Sequence, residues 1–205
     1  QFASSAASDV YKRQIGEYAT MINKEGWLNN NMKSNLTIIE LKNYNRKVTY
    51  DLPILPSPNL PNRKSINLYP SLCLFEGTNV SAGRGTEMQF QIYGSPYLNK
   101  EKNNFRFTPK KNSGSKYPKH ENLLCYGKNL SENKKLDKFD LSFLLNAYSD
   151  TNDKQNFFNN YFDKLAGTDS LKNQIISGLS EKKIIQSWKK KLDIYKEMRM
   201  KYLIY

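Results

Sequence analysis

The sequence predicts an α+β protein, and three observations predict it. Short β-branched and aromatic runs bounded by Asn, Gly and Pro recur between residues 36 and 130; polar and Pro-rich loops join them; and from residue 136 onward apolar residues recur every three or four positions. With 205 residues, 38% hydrophobic and 13% aromatic, the chain is long enough and apolar enough for a true core.

The elements follow in order. Residues 15–25 place Ile15, Tyr18, Ala19 and Ile22 at helical spacing, with Gly26 where a C′ glycine belongs. Residues 36–41 read as a strand between Asn-rich turns. The run holding Pro53, Pro56, Pro58 and Pro61 forbids a helix or a central strand and reads as a stiff, ordered connection. Periodicity in "SINLYPSLCLFEG" fits either a buried strand or a helix with Pro70 in its first turn, running to about Glu76. The segments "FQIYGSPYL", "FRFTP" and "NLLCYGKNL" read as short strands. Residues 136–148 carry one helical stripe, and Phe157, Phe158, Tyr161, Phe162 and Leu165 carry another that ends at Gly167. Thr168 or Asp169 caps the next helix, Gly178 stops it, and Ser180 opens a last helix with Ile184, Trp188, Leu192, Tyr195 and Met198 on one face.

Composition narrows the function classes. The net charge of +13 raises nucleic acid or an anionic surface as a partner, but the lysines are dispersed among asparagines and read as a solvated basic surface. No nucleic-acid partner is expected. No apolar run approaches the ~20 residues of a membrane span. Cys73 and Cys125 stand in apolar surroundings without CxxC spacing and read as buried thiols, although an oxidising compartment would permit a bridge between them. Residues 1–14, "QFASSAASDVYKRQ", lack periodicity and a signal-peptide core; they resemble translated adapter sequence and are set apart from the fold.

The chemistry concentrates in residues 74–90, "LFEGTNVSAGRGTEMQF". The chain has one histidine, His120, in a Lys/Pro-rich loop where solvent exposure is expected, so a zinc helix or a Ser-His-Asp triad is disfavoured. Nor does "GTNVSAGRG" have the spacing of a phosphate loop, and no metal or cofactor is expected. Glu76 follows "LCLF" at the rim of an apolar element, which suits a general acid; equally, it caps a neighbouring backbone and pairs with Arg84. Gly77, Gly83 and Gly85 permit close approach or positive φ. Thr78, Asn79, Ser81 and Thr86 offer neutral donors and acceptors for sugar hydroxyls and amides, and Arg84 offers a fork for a carboxylate.

Taken in order, "LPSPNLPN", "LYPSLCLFEGTNVSAGRGT", "FQIYGSP", "FTP", "CYG", "FFNNYFDKLAGT" and the final helix closely resemble the C-terminal half of the NamZ-type exo-β-N-acetylmuramidases, over residues 15–205. The resemblance implies a glycoside hydrolase that releases N-acetylmuramic acid from the non-reducing end of peptidoglycan-derived muramyl saccharides, periplasmic or extracellular. It implies that residues 15–95 are the end of a Rossmann-like α/β domain and 96–205 a smaller α+β domain with a helical C-terminus. By the same resemblance the family's proposed catalytic glutamate lies upstream of this chain. Ser57, Asn59, Tyr69, Glu76, Thr78, Asn79, Ser81, Arg84, Gly85 and Thr86 match the family block and are expected to line the cleft. In this reading Glu76 is the candidate catalytic or substrate-orienting acid, Glu87 is a weaker one, and Arg84 faces the lactyl carboxylate. Gln89 departs from the proline expected before Phe90. A non-catalytic module binding carbohydrate or wall polymer is the competing reading.

Overall fold

The computed structural model describes residues 14–46 and 52–205. The segment set apart at the N-terminus therefore lies outside the described residues, apart from Gln14. Helix α1 is Ile15–Lys24, closed by Gly26 at φ +71°. The Pro-rich connection leads to α2, Arg63–Leu72, which tightens into a 3-10 turn over Cys73–Gly77. Strands β1 (Ile92–Ser95), β2 (Phe105–Phe107) and β3 (Cys125–Asn129) form an antiparallel sheet in the order β1-β3-β2. Four helices follow: α3 Ser142–Asp150, α4 Phe162–Ala166, α5 Ser170–Ile176 and α6 Glu181–Met200. The α+β class holds.

Helix α2 starts earlier than Pro70 suggests because Asn62 caps it. The Asn62 side chain accepts from the Ser65 amide at 2.8 Å, and the Asn62 amide donates back to the Ser65 hydroxyl. Pro70 then sits inside the helix, at a cost of about 3 kcal/mol for an interior proline. Burial of Leu68 and Leu72 offsets that cost, each side chain contributing about 2 kcal/mol.

The sheet is close-packed at its centre. Gly94 pairs with Gly127 across β1 and β3, and a Cβ at Gly127 would lie 1.7 Å from the Tyr93 carbonyl. Aromatic rings fill the space between the sheet and the helices: Phe75 stacks on Tyr93 at 5.0 Å, and Phe158 meets Phe162 edge-on at 4.5 Å. The apolar cluster extends from Leu68 to Trp188 and so takes in residues on both sides of position 95. Both cysteines are free and buried, their thiols pushed up to about 12 by burial.

Three expected elements are corrected. Residues 36–41 form no strand, because a strand exists only as a ladder and no described segment pairs with them. Instead Lys33 and Ser34 bond back to the C-terminal end of α1 through the Asn23 and Lys24 carbonyls and the Asn23 side chain. Residues 136–141 are not helical because their amides have other partners. The amides of Leu136, Asp140 and Leu141 donate to Asn67, Ser71 and Glu181 side chains, so α3 begins only at Ser142. Phe157 and Phe158 lie outside α4, since the Phe157 carbonyl accepts from the Asn79 amide and Phe158 bridges Thr78.

The apolar face expected on α1 is not its buried face. Glu17 and Met21 are buried, whereas Ile15 is 88% exposed. Glu17, 3% exposed, is a hub: it pairs with Arg46 and accepts from the Ile204 amide at 2.9 Å, while Tyr202 reaches Glu25. The last residues thus clasp α1. Burial would raise the Glu17 carboxyl, but the Ile204 and Arg46 hydrogen bonds outweigh it and hold the group below its ordinary value. Its stabilising contribution is present above about pH 4.5 and is lost as pH falls through the lowered native value. Glu17→Ala is therefore expected to cost about 2 kcal/mol or more in urea unfolding at neutral pH. The gap from wild type is expected to narrow as the pH drops below 4.

Candidate functional site

Residues 74–90 form a fixed loop, because their hydroxyls and glycines hold the chain to itself. Thr78 Oγ1 donates to the Phe75 carbonyl and accepts from the Val80 amide. Ser81 Oγ accepts from Gly83, and Thr86 Oγ1 joins the Gly83 carbonyl to the Met88 amide. Gly85 adopts φ +78°, where a Cβ would strike Pro118 at 2.6 Å and the Lys110 carbonyl at 2.7 Å. Ser81 pairs with Gly94 and ties the loop to β1. The expected sugar-facing hydroxyls of Thr78, Ser81 and Thr86 thus serve the turns of the loop.

Glu76 and Arg84 emerge from this frame. Arg84 Nε stands 3.0 Å from Glu76 Oε1, as an ion pair without an in-line N–H, and the Arg84 guanidinium lies 5.6 Å from the Phe90 ring centroid. The two side chains are 39% and 34% exposed, so solvent screens the pair and it contributes at most about 1 kcal/mol to stability. The expected pairing of Glu76 with Arg84 is present. Tyr69 completes the group, edge-on to Phe90 at 4.9 Å. Burial raises its phenol above the ordinary range, with Cys73, Glu76 and Tyr161 adding and Arg84 opposing.

The remaining sequence candidates divide. Asn79 has both amide atoms sealed from solvent and without a hydrogen-bond partner. Ser57 Oγ accepts from the Asn59 amide, and Asn59 Nδ2 donates to the Gly114 carbonyl at 2.7 Å, so these two order the Pro-rich segment. Glu87 is exposed. A separate open groove of about 830 Å³ runs along α6, lined by Lys138, Asp140, Lys182, Lys189 and Leu192, a mixed-charge surface.

Two residues behind the loop escape sequence reasoning. Lys119 Nζ donates to the carbonyls of Phe75, Thr78 and Val80, and burial lowers its ammonium to about 8, with Glu76 opposing and Arg84 adding. His120, expected in solvent, is half-buried at φ +61° with Nε2 2.6 Å from the Asn79 carbonyl. A carbonyl only accepts, so Nε2 carries the proton. The one hint in "KYPKHEN" is Pro118, which fixes the turn against Gly85.

The family described as "Exo-beta-N-acetylmuramidase NamZ, C-terminal" matches residues 67–205. The chain belongs to the NamZ family. The N-terminal NamZ region matches residues 10–64, so the break between the two falls at the start of α2 and the 74–90 loop lies in the C-terminal region. A Bacillus subtilis relative named peptidoglycan beta-N-acetylmuramidase NamZ is 35% identical over 93% of this chain and 50% of its own length. A solved DUF1343 family protein of Bacteroides fragilis superposes with a TM-score of 0.86 at 43% identity, over 93% of this chain and 54% of its own. Another from the same species, at 18% identity, TM-score 0.69 and coverage of 93% and 55%, shares the fold. The chain thus spans about half the length of the relatives it matches.

Two measurements test the frame of this NamZ loop. Burial, with Lys119 adding, holds His120 below its ordinary value, against the opposing hydrogen bond to Asn79. The unfolded chain therefore takes up a proton that the native state refuses, and stability is expected to fall as pH drops below about 6.5. In His120→Asn, which tolerates the left-handed backbone, that segment of the unfolding profile is expected to be flatter. Gly85→Ala is expected to lose about 2 kcal/mol or more in chemical denaturation, through strain at positive φ and the clash with Pro118.

Proposed function

We propose that this chain is the C-terminal part of an exo-acting glycoside hydrolase that releases N-acetylmuramic acid from the non-reducing end of peptidoglycan fragments, working in the periplasm or outside the cell. The observation that carries the reading is the Glu76–Arg84 pair, displayed on a fixed loop beside Tyr69 in a chain of the NamZ family. Arg84 is suited to the lactyl carboxylate that distinguishes muramic acid from other amino sugars. Glu76 then serves as one of two flanking carboxyl groups, which in glycosidases stand ~5 to 9.5 Å apart, or orients the sugar for an acid supplied from upstream. The described residues before α2 would close a Rossmann-like domain. In support, Ile15, Ile39 and Ile54 expose 88%, 90% and 81% of their surface, as expected of side chains that further α/β units would cover. The competing reading, a non-catalytic carbohydrate-binding module, draws on the engagement of Glu76 with Arg84 rather than with an empty cleft.

The isolated chain is expected to show no turnover of a chromogenic muramide, whereas a version extended upstream by the missing α/β units turns it over. In that longer version Glu76→Gln is expected to retain muramic acid binding and to lose about 10²-fold or more in kcat. Turnover by the isolated chain would overturn the placement of the catalytic acid upstream. Unchanged binding and rate in Glu76→Gln would make Glu76 structural.

A further inference from the structure

We propose that Lys119 is a positioning residue of this site: by gathering the carbonyls of Phe75, Thr78 and Val80 onto one ammonium, it fixes how Glu76 is presented to Arg84. Its importance for a ligand rests on the reading above; its mechanical part does not.

The three carbonyls bracket Glu76, one on the residue before it and the others two and four positions after it. Pinning those peptides fixes the direction in which the Glu76 side chain leaves the backbone. His120 holds the Asn79 carbonyl beside them, so two neighbouring residues of a distant loop grip the backbone at 75, 78, 79 and 80. Simple fold maintenance does not account for this grip. The loop is already tied down by the Thr78 and Thr86 turns, the Asn79 amide on Phe157 and the Ser81–Gly94 bridge.

A buried ammonium is also a costly way to brace a turn, several kcal/mol before its hydrogen bonds are counted, and an apolar side chain would fill the space without that penalty. What the ammonium adds is three directed donors and a positive charge within electrostatic reach of both Glu76 and Arg84. Together Lys119 and Arg84 outweigh Glu76 by one charge. The surface is left net positive, as a site for an anionic sugar requires.

The grip depends on the proton. A neutral amine has two donors instead of three, so deprotonation of Lys119 releases one of the carbonyls around Glu76. The charged and titratable groups facing Lys119 are Glu76 and Arg84 on the loop and His120 beside it. His120 is held below its ordinary value and is already neutral in this range.

The Arg84 side-chain 15Nε and 13Cζ shifts, followed by NMR in the 205-residue chain, test the proposal. Glu76→Gln supplies the unpaired reference. At about pH 7, Lys119→Met is expected to move the Arg84 signals at least about half-way from the wild-type position to that reference, while the core methyl pattern stays native. In wild type the same movement is expected on raising the pH, with a midpoint of about 8. An Arg84 signal unmoved in Lys119→Met, or identical in wild type and Glu76→Gln, overturns the proposal. Should Lys119→Met fail to fold, the wild-type titration decides: Arg84 shifts flat from about pH 7 to about pH 9.5 overturn it. None of these measurements contains a sugar. A failed muramide assay therefore leaves them standing, and their failure leaves the proposed function open to its own test.

Discussion

A buried ammonium that holds three backbone carbonyls is the constraint on which the rest of the site depends. Lys119 comes from a loop far along the chain, and its donors reach Phe75, Thr78 and Val80, the stretch that carries Glu76. These carbonyls lie at and just beyond the 3-10 turn that carries Glu76. The burial of Lys119 is in turn made possible by Pro118 against Gly85, where only glycine leaves room. The site is therefore built from two loops packed against each other.

The same loop organises the helical half of the molecule. Gly77 approaches Phe162 so closely that a Cβ would lie 2.5 Å from its Cα, and the carbonyls of Gly77 and Phe157 exchange partners with the amides of Asn159 and Asn79. Phe157 and Phe158 are held outside the helix by these bonds, and their rings pack with Tyr148 and Phe162. Core and site are thus one packing problem. At the opposite end, the Glu17 hub fastens the first helix to the end of the chain, joining the segment matched by the N-terminal family region to the last residues of the C-terminal one.

What the sequence revealed was local, and what it hid was tertiary. Gly26, Gly167 and Gly178 sit at positive φ where the periodic stretches end, and Ile184 and Trp188 of the last helix pack on the core, because caps and periodicity act within a few residues. The three strands fell where β-branched and aromatic runs predicted them. Residues 36–41 have strand composition without a partner strand among the described residues, and 136–141 have helical spacing while their amides bond to α2 and α6 side chains. Neither competition leaves a trace in the local sequence. Glu76 and Arg84 were legible as a pair because both stand in one short run. Lys119 and His120 were not, since a lysine in a polar loop shows its burial only through contacts more than thirty residues away.

The central claim is that the 74–90 loop, gripped from behind by Lys119, presents Tyr69, Glu76 and Arg84 as one wall of a site for an acidic amino sugar. Titrating the isotopically labelled chain with N-acetylmuramic acid and mapping the NMR shifts tests it most directly. The expected result is that signals of Tyr69, Glu76 and Arg84 move together on one binding curve while those of β2 and of the groove along α6 stay in place. Shifts confined to that groove, or no shifts as the sugar is raised to its solubility limit, would contradict it.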